Sequence, residues 1–185
     1  MGPQSELELF KEKAAAVQVV IEEIPDLAAA FDYAVELTTK QGGKSMAAFG
    51  WQGKTRGLLE AACARAGVSL VADNLREHAG TLHTALTLAD WGIAETGSLV
   101  LDSRSEDLRL ATMLAETHVA VLPLSRLQPD SLALEAEMRR RMASPPSYLA
   151  FITGASRTAD IERVLTIGVH GPQELHVLIL EDRKS

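Results

Sequence analysis

The sequence predicts an α/β fold, a largely parallel sheet covered by helices with an antiparallel hairpin near the C-terminus. Three observations predict it. Short apolar runs of strand length alternate with helical stretches through the first half of the chain, the order expected of a parallel sheet with helical crossovers. The end, "LTIGVHGPQELHVLIL", reads as two strands around a His-Gly-Pro turn. The chain has 185 residues, 46% of them hydrophobic and 23% charged, values that suit one globular domain with a substantial core.

The elements follow in order. Residues 1–9 are expected to be flexible. "AAAVQVVIEEI" begins helical and turns strand-like, with Val17 to Ile21 as the strand. "DLAAAFDYAVELTTKQGG" carries Leu27, Phe31, Val35 and Leu37 on a helix, with Asp26 as its N-cap and Gly42 as its stop. "KSMAAFG" is a short strand, "KTRGLLEAACARAG" a helix ending at Gly67, and "VSLVAD" a strand. Residues 75–89 read as a helix and a connection. "DWGIAETGSLVLDS" gives two short extended pieces around Glu95-Thr96-Gly97-Ser98. Then come a helix ("EDLRLATMLAE"), a strand ("THVAVLPL"), a helix ("DSLALEAEMRRRMA"), a strand ("SYLAFIT"), a helical turn in "ASRTADIERVL", and the hairpin. No repeat, low-complexity tract or domain boundary interrupts residues 1–185, which are read as one domain.

Composition excludes several classes of function. The formal net charge is -7, and no basic stripe of the kind that grips nucleic acid is present. Arg139-Arg140-Arg141 follow acidic residues, as at a surface helix end. No apolar run reaches membrane-spanning length and the N-terminus lacks a signal-peptide profile, so the expected compartment is the cytoplasm. Cys63 is the one cysteine. It supplies neither a disulfide nor the thiolate set of zinc or an iron–sulfur cluster, and its helical, apolar context reads as burial. His78 and His83 are five apart rather than four, so they do not share one helical face, and no metal site is expected. His118 and His176 sit in strand patterns and read as core or surface fillers. Trp51 and Trp91 read as packing residues, and Asp73 ends a strand where it can point into a cleft.

Three loops can carry chemistry. "AFGWQGKT", Ala48 to Thr55, matches a relaxed phosphate-loop pattern with alanine at the first glycine. The apolar run continuing through Phe49 and the bulk of Trp51 favour a plain strand-to-helix turn or a ligand contact over nucleotide hydrolysis. In "IAETGSLVL", Glu95 stands beside a Thr-Gly-Ser turn. It is a candidate general base or nucleophile, or a partner for nearby backbone. In "ITGASRTADIE", Gly154 and hydroxyls precede a helix start, where free N–H groups favour an anion and Arg157 can grip a carboxylate. The competing reading makes Ser156 or Thr158 a helix cap and Asp160 and Glu162 its dipole partners. His170, before Gly-Pro, can point into a cleft and bind an anion or move a proton.

"AETGSLVL", "LRLATMLAETHVAVL", "TGASRTADIE" and "GVHGP" occur in this order along the chain. Together they resemble the LUD-domain family, in its lactate-utilisation C (YkgG-type) branch, over roughly residues 10–182. Ala155 departs from the proline that the family often has there. The resemblance implies a NagB/RpiA/CoA-transferase-like fold and a part in oxidising L-lactate to pyruvate, as one subunit of a system whose partner subunits carry iron–sulfur centres. It implies no cofactor on this chain. Glu95 corresponds by position only to the loop glutamate nucleophile of the CoA-transferase relatives. The expected site is one cleft for a small carboxylate or a partner, and the competing reading is a non-catalytic scaffold or regulatory module that binds a small anionic metabolite. Glu95 and His170 are the cleft's catalytic candidates. Thr96, Gly97, Ser98, Gly154, Ser156, Arg157, Thr158 and Gly171 are its binding candidates.

Overall fold

The computed structural model describes residues 3–72, 74–78, 80–143, 147–158, 166–167 and 171–181. The chain runs α1 (Pro3–Ala16), β1 (Val20–Ile24), α2 (Leu27–Lys40), β2 (Ser45–Ala48), α3 (Gly53–Ala66), β3 (Ser69–Val71), β4 (Thr84–Leu88), β5 (Trp91–Ile93), β6 (Ser98–Asp102), α4 (Glu106–Leu114), β7 (Thr117–Pro123), β8 (Leu127–Gln128), α5 (Glu135–Met142), β9 (Leu149–Ile152), β10 (Arg157–Thr158), β11 (Thr166–Ile167) and β12 (Glu174–Leu180). The main sheet has six strands in the order β1-β12-β7-β4-β2-β3, and every pair in it is parallel. A second, mixed sheet has the order β8-β5-β6-β9.

The central strands β7 and β12 bury both faces, and alternate residues serve two cores. Val119, Val121 and Leu178 pack with Phe31 and Val35 of α2 and Leu59 and Cys63 of α3. Ala120, Leu122, Leu175, Val177 and Ile179 pack with Leu7, Phe10 and Ala14 of α1 and with Leu99, Leu101 and Leu127 of the second sheet. Helices therefore cover one face of the main sheet, while α1 and the second sheet cover the other. On that second face, Ala111 and Ala115 at and just beyond the end of α4 meet Ala47 and Ala85 of the main sheet. Asp26 caps α2 by accepting from the Ala29 N–H at 2.9 Å, a contribution of about 1 kcal/mol. Gly67 ends α3 at φ +68, a conformation that glycine adopts without strain. Arg141 of α5 reaches Asp90 at 3.0 Å and Asp102 at 3.1 Å and lies 4.4 Å over the Trp91 ring, tying α5 to the second sheet.

Several expectations are corrected. Within the stretch expected to be flexible, α1 starts at Pro3, and its Leu7 and Phe10 are 4% and 0% exposed. Leu7, Phe10 and Ala14 recur at helical spacing, which gives the segment a face to bury. The first strand is Val20–Ile24, three residues later than expected, because Val17 and Gln18 turn back on α1, with Gln18 at φ +64. Residues 84–88 form a central strand instead of a connection after a helix. The two strands expected to pair around residues 170–172 do not pair with each other. The last strand, β12, lies parallel between β1 and β7. The antiparallel pairing near the C-terminus joins β10 to β11 instead. A strand with two parallel neighbours buries both of its faces, and "ELHVLIL" has the side chains for that.

Candidate functional site

A cavity of about 470 Å³ opens between the C-terminal half of α4, the amino ends of β7 and β12, and β9 of the second sheet. Each element brings a distinct group. Arg109, Thr112 and Met113 come from α4, whose start is fixed by Ser105 accepting from the Leu108 N–H at 3.3 Å. His118 is the second residue of β7 and Leu175 the second of β12. Residues 148 to 154 line the cavity consecutively. The loops at Gly154–Ser156 and Gly171–Pro172 close one end and are joined to each other, since the Ser156 N–H donates to the Pro172 carbonyl at 2.9 Å. A Cβ on Gly171 would stand 2.9 Å from the Ser156 Cβ, so glycine is what lets these loops touch.

Two groups dominate the chemistry. His118 is 1% exposed, and its Nε2 lies 2.8 Å from the Thr87 hydroxyl. Burial pushes its pKa down to about 4, so the ring is neutral near pH 7 and can donate or accept a proton through hydrogen bonds. Arg109 donates from Nη1 to the Ser103 carbonyl and to the Arg104 carbonyl at 3.1 Å, and its guanidinium lies 5.3 Å over the Tyr148 ring. Among the described residues no carboxylate pairs with Arg109 and none lines the cavity. The remaining polar groups are hydroxyls. Thr153, on the lining, is 2.6 Å from Ser98, which accepts from Thr96 at 2.8 Å. The site is thus a cation, a neutral imidazole and hydroxyls set in apolar walls.

The structure brings together some of the sequence candidates. Gly154, Ser156 and Gly171 line this cavity, and Ser98 reaches it through Thr153. Glu95 does not line it. Its side chain is exposed and its N–H donates to the Pro129 carbonyl at 3.0 Å. Thr96 is exposed beside it. Arg157 donates from Nη2 to the Val17 carbonyl at 2.8 Å and to Gln18 Oε1 at 3.0 Å, which fastens it to the end of α1. Thr158 stands in β10. Gly97 has φ +64, and a Cβ there would lie 2.4 Å from the Ala14 nitrogen. Gly154 has φ +80, and a Cβ there would lie 2.9 Å from the Val17 carbonyl oxygen. Both glycines therefore let α1 approach. His170, Asp160, Glu162 and Asp73 lie outside the described residues.

The cavity sits at the amino ends of the main-sheet strands, not at the carboxyl ends where ligands of α/β sheets commonly gather. At the carboxyl end of β2, Trp51 is 7% exposed and packs edge-on against Phe31, with ring centroids 5.1 Å apart. Sequence reasoning missed Arg109, Thr112, Tyr148 and the role of His118. The one signal was a histidine inside an otherwise apolar strand run, where a buried polar ring requires a partner. Among the described residues no group of three or more His, Cys, Asp or Glu is placed to hold a metal ion.

Comparison with known proteins agrees with this architecture. A crystal structure of a DUF162 family protein from Deinococcus radiodurans superposes with a TM-score of 0.61 at 15% identity, covering 97% of this chain and 99% of that one. Lactate utilization protein C of Halalkalibacterium halodurans is 36% identical over 114 residues, 60% of this chain and 50% of the relative. The Bacillus subtilis protein of the same name is 33% identical over 104 residues, 55% of this chain and 43% of the relative. The matched region spans about half the length of these relatives. The LUD domain matches residues 7–180, nearly the whole sequence, and the chain belongs to the LUD domain family.

Proposed function

We propose that this chain acts in lactate utilisation, as one subunit of a system that oxidises L-lactate to pyruvate, and that it binds a small carboxylate or a partner through the cavity beside α4. The relatives named lactate utilization protein C support the process. The observation that carries the site is Arg109, a cation on the cavity wall with no carboxylate partner among the described residues. A carboxylate accepts charge-assisted hydrogen bonds from its remaining N–H groups. Neutral His118 and the hydroxyl of Thr112, one helical turn from Arg109, are available on the lining for a 2-hydroxyl or 2-oxo oxygen.

Oxidising a hydroxy acid to an oxo acid removes two electrons and two protons. Iron–sulfur centres, which the family resemblance puts in such a system, would supply the electron path. This chain's residues do not fit a cluster of its own. Its single thiol, Cys63, is buried against α2, and burial pushes its pKa up. In this reading the centres belong to partner subunits, and this chain binds and orients the acid. A second reading, a binding module without catalysis, draws support from Glu95, the expected catalytic carboxylate, which is exposed and away from the cavity lining.

Calorimetric titration with L-lactate and pyruvate tests the site. Arg109→Ala is expected to weaken binding roughly ten- to a hundred-fold, the loss of a charge-assisted hydrogen bond worth about 1.5–3 kcal/mol. Equal affinity in the folded variant removes Arg109 from the site. Turnover of the system reconstituted with its partner subunits separates the two readings. Loss of turnover in His118→Gln with affinity retained supports a proton-handling role, and unchanged turnover supports the binding module.

A further inference from the structure

We propose that the cavity takes a monocarboxylate with a larger apolar body than lactate, held with its carboxylate at Arg109 and its body along β9. This rests on the carboxylate reading above and adds the size and character of the ligand. The volume, about 470 Å³, falls in the range of pockets that enclose drug-sized molecules, roughly 300–1,000 Å³. A three-carbon acid leaves most of it to water. That water would face apolar walls, because Met113, Tyr148 and Phe151 line the cavity and remain 56%, 58% and 48% exposed. Uncovered apolar side chains gathered at one cavity mark a surface that gains by being covered.

The shape points the same way. Successive side chains of a strand face opposite sides, so a pocket over one face of β9 would be lined by alternate residues. Here residues 148 to 154 all line it. The cavity therefore runs along the outer edge of β9, the last strand of the second sheet. At about 3.3 Å per residue, four strand residues give a groove of roughly 13 Å. The charge lies at one end, since Arg109 sits over Tyr148, just before β9 begins. One cation at the end of an apolar groove matches a ligand with one carboxylate and an extended or aromatic tail.

The probes are L-lactate, L-2-hydroxyhexanoate and L-3-phenyllactate, titrated calorimetrically into the intact chain. Each fully buried methylene is expected to tighten binding about fourfold. Hydroxyhexanoate and phenyllactate should therefore bind at least tenfold more tightly than lactate. Phe151→Ser and Tyr148→Ser should each lower the ratio of phenyllactate to lactate affinity, with thermal melts confirming that the variants fold. If lactate binds and the longer acids bind no tighter, this inference is overturned and the carboxylate reading stands. If none of the three acids binds the folded protein at millimolar concentration, the carboxylate reading falls and this inference with it. A gain that survives in both variants removes the body from β9.

Discussion

The seat of α1 and the cavity draw on the same two loops, and they ask opposite things of them. At the seat, Gly97 and Gly154 give up side chains so that the backbone of Lys13 to Val17 can approach. At the cavity, Thr153 and Ser156, each within two residues of Gly154, keep side chains on the lining. The seat is dense and its polar groups are satisfied locally, as when Arg157 meets Val17 and Gln18. The cavity leaves the half-buried Arg109 guanidinium without a carboxylate partner among the described residues, and large apolar side chains exposed. The difference teaches that a glycine- and hydroxyl-rich loop is not one functional unit. The glycines serve close packing and the hydroxyls serve the open side. Substitutions can separate these two regions, because seat residues should move stability alone.

The largest effect is expected at Gly97→Ala. The new Cβ would fall 2.4 Å from the Ala14 nitrogen, at a backbone φ of +64. Relief requires α1 to move, which uncovers Leu7 and Phe10, now 4% and 0% exposed. Partial loss of two large buried side chains plus the backbone strain should cost about 4 kcal/mol. The check is urea denaturation. A cost under about 1 kcal/mol would mean that α1 is not seated on this loop, and the comparison would fail.

How much of this was legible in the sequence follows from where each signal resides. The helices α2 and α3 were legible because their caps are local: Asp26 starts one and Gly67 stops the other. The parallel sheet was legible from alternation along the chain. Strand β4 was not, because "HTALTL" carries polar residues that read as surface. In the fold, Thr84 is buried against Thr38 at 2.7 Å and Thr87 against His118 at 2.8 Å, and neither partner is near in sequence. The cavity was hidden for the same reason. Arg109, His118, Phe151 and Gly171 share it only because α4, β7, β9 and β12 converge, and no spacing along the chain announces that. The two motif loops lie between the seat of α1 and the cavity. Which residue faces α1 and which faces the cavity was decided by a helix whose first residues looked loose.

A middle-sized effect is expected from pH, and it sharpens the cavity side. His118 is neutral in the folded state, with its pKa pushed by burial down to about 4 from an ordinary 6.5. Below about 6.5 the unfolded chain takes up a proton that the folded chain refuses until about pH 4. Stability should therefore fall as pH drops through that window and level off beneath it, by roughly 3 kcal/mol at full effect. Denaturant melts from pH 4 to 8 check this as a difference between the wild type and His118→Gln, which isolates the imidazole from every other titrating group. Parallel curves for the two proteins would show that His118 is not shielded from water.

The smallest effect is expected at Arg157→Ala, and it is the sharpest test of the division between the two regions. The sequence suggests Arg157 as a grip for a carboxylate. In the structure its Nη2 donates to the Val17 carbonyl and to Gln18 Oε1, and the residue is absent from the cavity lining. The side chain is exposed, so water can replace either bond, and the loss should be about 1 kcal/mol. The position of α1 does not depend on this tie alone, because Leu7, Phe10 and Ala14 remain buried in the core. Lactate affinity per folded molecule should then be unchanged, while Arg109→Ala lowers it. Arg157→Lys keeps the charge but loses the planar fork, and it should resemble Arg157→Ala in stability. Calorimetric titration and urea denaturation of the three variants decide the matter together. If Arg157→Ala abolishes binding at a stability cost near 1 kcal/mol and Arg157→Lys restores it, then Arg157 leaves its seat to meet the ligand. One loop would then serve both regions through a single side chain.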